Sequence, residues 1–221
     1  TQGMSVLRDP VRLVLTMADG TIVRTDDLKT AADVKVGPVP LGIEGWRKPT
    51  DVFAVNDEDR PRMRLEGTAV ADFDGGEIAN EFWFEYDGLL WSNIAFEGSG
   101  TVQKIEVEVP VSDKFSDVFN PTDYNMNTID TIPTDGFAGG WSRTVWVGNG
   151  YGGILTHVDR KPGPVSEPSK ALTIHEGEYG ATVRVVVLDE GTKLSELGPL
   201  TLSLQATPVK ARHPYYRQMT V

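Results

Sequence analysis

Along most of this chain, apolar and polar residues alternate with a period of two, the spacing that sends successive side chains to opposite faces of a strand. In VRLVLTM, Val11, Leu13, Leu15 and Met17 share one face of an extended run, which then meets Asp19-Gly20. An Asp-Gly pair between two such runs predicts a hairpin with a type I′ turn. In KIEVEVPV, Ile105, Val107 and Val109 face one way and Lys104, Glu106 and Glu108 the other, predicting a strand with one wet face. Further extended runs fall at 62–73, 79–97, 142–148, 153–158, 171–175, 181–189 and 200–208.

Turn-forming clusters such as DFDGGE, EYDGLL, VGNGYGG and RKPGPVSEPS separate these runs. With 23 Gly and 14 Pro, no stretch reads as a long amphipathic helix. The expected fold is all-β: a two-sheet antiparallel β-sandwich, jelly-roll or supersandwich-like, with at most one or two short helices, the candidate stretch being VSDKFSDVF. At 221 residues, one sandwich domain over 1–210 is expected, with 211–221 a tail or linker toward a C-terminal domain absent from this chain. Residues 112–141 read as a long irregular connection. The start at Thr1 rather than Met suggests processing or excision from a longer protein.

Composition narrows the partners. A formal net charge of -11 without clustered Lys or Arg argues against nucleic acid and anionic membranes, both of which recruit basic patches. The absence of Cys excludes disulfides, thiolate metal sites and a thiol nucleophile. No apolar run approaches the roughly 20 residues needed to span a bilayer as a helix.

The stretch GGWSRTVWVGNGYGGILTHVDRK spells GxGxxG at Gly148, Gly150 and Gly153. A dinucleotide fingerprint needs a helix after the glycines, whose N-terminus meets the pyrophosphate. Here the β-branched, alternating ILTHVD follows, so no cofactor is implied and the glycines read as a hairpin turning at Asn149-Gly150. Trp141, Trp146 and Tyr151 bracket that hairpin, and Arg143 and Asn149 add donors. These five are the candidate carbohydrate-binding residues, because sugars stack their apolar faces on aromatic rings; core packing is the competing role for each Trp.

Other polar groups point to less. Asp57-Glu58 and Asp189-Glu190 sit among turn residues and read as solvated turns. Asp72, Asp74 and Glu77 offer oxygen ligands for calcium but lack EF-hand spacing, and an ordinary β-turn explains Asp-Gly-Gly. His157, His175 and His213 are scattered, without zinc-site spacing. There is no GxSxG elbow. No catalytic residue and no metal ligand is assigned.

Beside this reading stands a resemblance. Trp146, Val147, Gly148 and Asn149, then Gly153-Ile154, then a strand closing on Ala206-Thr207-Pro208-Val209-Lys210 resemble the β-sandwich region that precedes the catalytic barrel in proteins similar to glycoside hydrolase family 123 and in related bacterial domains of unknown function. The specific part covers roughly 141–210; the earlier half agrees only as a succession of strands. Thr156-His157-Val158-Asp159 departs from the aromatic and acidic continuation common in that group.

The resemblance implies a parent enzyme that removes N-acetylgalactosamine with the substrate's acetamido group as nucleophile, oriented by an Asp-Glu pair in the barrel. That barrel would begin after the ATPVK strand, so neither Asp-Glu pair here inherits the role. The expectation is a non-catalytic accessory module of a secreted bacterial glycoside hydrolase-like protein, extracellular or periplasmic, with the barrel and a glycan as partners. Two alternatives stand: a free-standing carbohydrate-binding module, with some of Trp83, Trp91, Trp141, Trp146 and Tyr151 exposed on one face, and a mutarotase-like sugar enzyme, with His157 or His175 paired to a carboxylate.

Overall fold

A computed structural model describes residues 6–38, 63–84, 89–121 and 129–207, and within these the side chains of all but 33–38 and 63–66. In chain order the strands are β1 (Arg12–Met17), β2 (Ile22–Arg24), β3 (Thr30–Pro38), β4 (Met63–Phe73), β5 (Gly76–Phe84), β6 (Leu90–Gly98), β7 (Thr101–Pro110) and β8 (Val118–Pro121). The second half adds β9 (Asp130–Thr131), β10 (Phe137–Gly139), β11 (Thr144–Gly148), β12 (Gly153–Arg160), β13 (Leu172–Gly177), β14 (Gly180–Leu188), β15 (Thr192–Lys193) and β16 (Leu200–Thr207). The helical pieces among the described residues are three-residue 3₁₀ turns, one of them at Asp113–Phe115, inside the stretch expected to hold a short helix.

The strands form two antiparallel sheets. One runs β10-β13-β14-β7-β1-β2, with β15 also on β7; the other runs β3-β4-β5-β6-β16-β12-β11-β8-β9. Their inner faces meet in one apolar cluster that draws on both, so the expected two-sheet antiparallel β-sandwich is the fold. The alternation seen in sequence decides which residues enter it. Ile105, Val107 and Val109 of β7 are fully buried, as are Leu15 of β1, Leu172 and Ile174 of β13 and Leu200 of β16. Each such side chain contributes about 1.5–3 kcal/mol relative to exposure.

Four sequence expectations change in detail. The Asp19-Gly20 hairpin forms, but with Met17 N–H bonded to Thr21 C=O and Gly20 at φ 88°, a three-residue loop with glycine in the left-handed region rather than a two-residue type I′ turn. Asp19 closes it by accepting the Thr21 N–H, a bond that holds the carboxyl below its usual pKa. The connection 112–141 is not wholly irregular: it carries β8, β9 and β10, strands too short to show a period. β3, whose sequence TAADVKVGP alternates weakly, was also not among the expected runs. The EYDGLL turn has its centre at 85–88, outside the described residues.

The fourth concerns the wet face of β7. Lys104 and Glu106 do pair with each other there, at 2.7 Å. Glu108, expected in solvent, is instead only 5% exposed. Arg12 of β1 and Arg184 of β14, its register partners on the two flanking strands, donate to its two carboxylate oxygens at 2.7 and 2.6 Å. Arg12 also reaches Asp26 at 3.0 Å. The long arginine stems cover the carboxylate, and a buried charge is tolerated because both of its oxygens are bonded.

Burial alone would raise the Glu108 pKa, but the hydrogen bonds from Arg12 and Arg184 outweigh it and hold the carboxyl below its ordinary value. A depressed folded pKa means that this contribution to stability is complete above the unfolded carboxylate range, near about 4.3, and is lost as pH falls through the folded value. Glu108→Gln is expected to cost about 2 kcal/mol at pH 7, less than a fully buried pair because the arginines remain partly hydrated. Urea denaturation at pH 7 and pH 3.5 checks this: the wild type should lose more stability on acidification than the variant.

Candidate functional site

The glycine-rich stretch folds as the β11–β12 hairpin, paired from Thr144↔His157 to Gly148↔Gly153 around a four-residue loop. Asn149 builds that loop. Its N–H donates to Gly152 C=O at 2.8 Å, and its side-chain oxygen accepts the N–H groups of Tyr151 at 2.9 Å and Gly152 at 3.2 Å. Its amide nitrogen donates to Lys114 C=O at 2.6 Å, tying the tip to the 3₁₀ turn at Asp113–Phe115. Asn149-Gly150 is thus an Asx-closed loop, and Gly150 does not adopt positive φ.

Trp146 lies on the outer face of the nine-stranded sheet, half-buried. A Cβ at Gly148 would stand 2.3 Å from its ring and one at Gly153 2.8 Å, so the two glycines are the floor on which the indole rests. Its Nε1 donates to Thr207 Oγ1 at 2.9 Å, across the Gly153↔Thr207 pair of β12 and β16. The ring is committed to holding the end of β16.

The five candidate residues do not converge on one platform. Trp141, between β10 and β11, packs against the core, with Lys161 Nζ 5.4 Å above its ring and its Nε1 buried without a partner. Arg143 is exposed beside β11, and its carbonyl accepts Val158 N–H at 2.8 Å. Tyr151 stands at the hairpin tip, 86% exposed. Trp146 and Asn149 share the hairpin, but both are bonded within it.

The strand register assembles a different group. Trp83↔Trp91 is a directly opposed pair of β5 and β6, Trp91 faces Ser203 on β16, Ser203 faces His157 on β12, and His157 faces Thr144 on β11. Opposed residues share a face, and Trp146 follows Thr144 by two positions. Trp83, Trp91 and Trp146 therefore stand on one outer face and are half-buried rather than buried. The ring centroids of Trp83 and Trp91 are 6.1 Å apart with the planes tilted by 35°. Two residues along are Glu81 and Asn93, also opposed, with Thr201 Oγ1 donating to Asn93 Oδ1 at 3.1 Å.

The remaining polar candidates are placed as follows. His157 shares a 2.7 Å hydrogen bond with Thr144 through Nδ1, and its Nε2 is 3.9 Å from Asp159. His175 is exposed on β13. Asp189 accepts both the N–H and the hydroxyl of Ser166, at 2.6 and 2.9 Å, which makes it the closure of a loop. Asp74 and Gly75 form the tight β4–β5 turn. Asp57-Glu58, His213 and the segment 208–221 lie outside the described residues. Among those described, no group of three or more His, Asp or Glu is placed to hold a metal ion.

The chain is similar to the GH36 alpha-galactosidase of Geobacillus stearothermophilus, at 12% identity and a TM-score of 0.45 over 94% of this chain and 31% of that one. It is also similar to the alpha-galactosidase of Lactobacillus brevis, at 9% identity and a TM-score of 0.39 over 94% of this chain and 30% of that one. The chain spans less than a third of the length of these enzymes. Its sequence matches no protein-family model and no curated protein.

Trp146→Phe keeps a ring on the glycine floor and removes the bond to Thr207. A loss of about 1 kcal/mol is expected. In a chain of this size that lowers Tm by about 2–4 °C by differential scanning calorimetry. Chelation with EDTA is expected to leave Tm unchanged; a fall would reveal a structural metal.

Proposed function

We propose that this chain is a non-catalytic β-sandwich accessory module of a secreted bacterial glycoside hydrolase-like protein, one that supports a catalytic barrel and contacts glycan. The observation that carries this reading is the convergence of the residues behind the family 123 resemblance. Trp146, Gly148, Asn149 and Gly153 are one hairpin, and Thr207, the last described residue of the closing strand, is fastened to it by the Trp146 bond. The motif is a clamp on the strand from which any following segment departs.

The chemistry of the carboxylates supports the same reading. Glu108 is saturated by two arginines and Asp189 by Ser166, so the acids set most firmly in the fold serve structure. General acid–base work needs a carboxyl free to exchange its proton with substrate. The free-standing binding module draws support from the shared outer face of Trp83, Trp91 and Trp146. For the mutarotase-like alternative, the His157–Asp159 approach of 3.9 Å is the relevant contact. His157 is committed to Thr144 through Nδ1, and its Nε2 stands beyond hydrogen-bond reach of Asp159, so the pair is not set as an acid–base couple.

The purified chain is expected to release no nitrophenol from p-nitrophenyl N-acetyl-galactosaminide, galactoside or glucoside. Turnover above the uncatalysed rate that disappears in His157→Ala would sink the non-catalytic reading and restore the enzyme alternative.

A further inference from the structure

The outer face of the nine-stranded sheet is where the molecule departs from the rule that a solvated sheet face carries polar residues. Two indoles stand directly opposed at Trp83 and Trp91, half-buried, on a face that also carries the polar Glu81, Asn93, Thr201 and Gln205 and the apolar Ala79, Ala95 and Leu155. We propose that this face, centred on Trp83 and Trp91, is a binding site for a neutral glycan. The proposal takes its ligand class from the accessory-module reading and moves the contact away from the β11–β12 hairpin.

The argument is chemical. A pyranose presents C–H bonds on one face, whose partial positive charge matches the negative face of an indole, and hydroxyls around its edge that need acceptors and donors. Aromatic area beside one carboxylate and several amides or hydroxyls matches that pattern. A protein partner docking on a sheet face would call instead for a large aliphatic patch, whereas the Trp91 row continues in the polar Ser203, His157 and Thr144, and the apolar row Val70, Ala79 and Ala95 offers one valine and two alanines. Charge selects a neutral sugar. The chain carries a net charge of -11, Glu81 lies two residues from Trp83, and Glu66 is the register partner of Trp83 on β4; Lys35 stands opposite Glu66 on β3, and Arg160 opposite Thr201 at the other margin. An anionic glycan would be repelled.

Three inter-strand steps of about 4.8 Å separate Trp91 from Thr144, so the polar row runs about 15 Å from the indole pair, with Ser203 in its first step buried. The competing role for the pair is cross-strand packing alone, worth about 1 kcal/mol to the β5–β6 hairpin. That role predicts a stability effect and no ligand.

The test is a titration of the purified chain with xylohexaose, cellohexaose, mannohexaose and a galacto-oligosaccharide, read by tryptophan emission and by calorimetry. Saturable binding of at least one probe is expected, weakened at least tenfold in Trp91→Ala and Trp83→Ala and several-fold in Glu81→Gln. It should be kept within about twofold in Tyr151→Ala and Trp146→Phe. Trp91→Phe retains a smaller ring and serves if the alanine variants fail to fold by near-UV circular dichroism; an intermediate affinity is expected of it. Binding to none of the neutral probes overturns the proposal, as does binding that Trp91→Phe and Glu81→Gln leave intact, or binding restricted to an anionic glycan. The two readings fail separately: absence of glycan binding removes this site and leaves the turnover result standing, while turnover by the chain removes the accessory reading and leaves a site at Trp83 and Trp91 intact.

Discussion

The sandwich depends on β7 being dry on one side and electrostatically closed on the other. On its inner side Ile105, Val107 and Val109 are fully buried between the sheets. On its outer side Glu108 joins β1 and β14 through two arginines, so the three middle strands of the seven-stranded sheet are held by side chains as well as by the backbone ladder. The two halves are coupled by the pleat: a register slip of one residue on β7 would send Glu108 into the apolar core and Val107 into the arginines. Both errors are costly, and together they specify one register. The arginines thus add specificity that burial of valines alone, which any register of a Val-rich strand partly satisfies, would not supply.

Much of this was legible in the sequence. Alternation in VRLVLTM, KIEVEVPV and ATVRVVVLD reports the inner face directly, because each of those strands has one wet side. What the period did not show falls into two kinds. β8, β9 and β10 are too short to display alternation, and they exist because a neighbouring strand already offers an unpaired edge. Glu108 was misplaced for a different reason. Period two correctly puts it on the face opposite the core, but exposure on that face is set by what the flanking strands carry, and Arg12 and Arg184 lie 96 and 76 residues away in sequence.

The same distinction separates the expected site from the observed face. In the stretch 141–151 the aromatic and polar residues are close in sequence. In space they part: Trp141 goes to the core edge, Tyr151 to the tip, and Trp146 and Asn149 are taken up by bonds that build the turn and fasten β16. Trp83 and Trp91, by contrast, lie in runs that read as ordinary strands, and what brings them together is the β5–β6 register. A cross-strand pair leaves no local signature beyond two indoles at alternating positions.

Glycine explains why the hairpin serves structure. An indole can lie flat across a strand pair only where no Cβ intervenes, and at Gly148 and Gly153 a Cβ would collide with the Trp146 ring and, at Gly153, with Val147 C=O at 2.3 Å. Replacing either glycine would therefore lift the indole and break its bond to Thr207, and the end of β16 would lose its side-chain tether to the hairpin. The spacing that imitates a phosphate loop is dictated by ring thickness: two glycines face each other across the pair because one indole lies over both. Trp83 and Trp91 have no such floor on that side, since the same-face positions two residues along are Glu81 and Asn93 rather than glycines. Their rings stand tilted against each other across the β5–β6 pair, with centroids 6.1 Å apart, instead of lying on backbone.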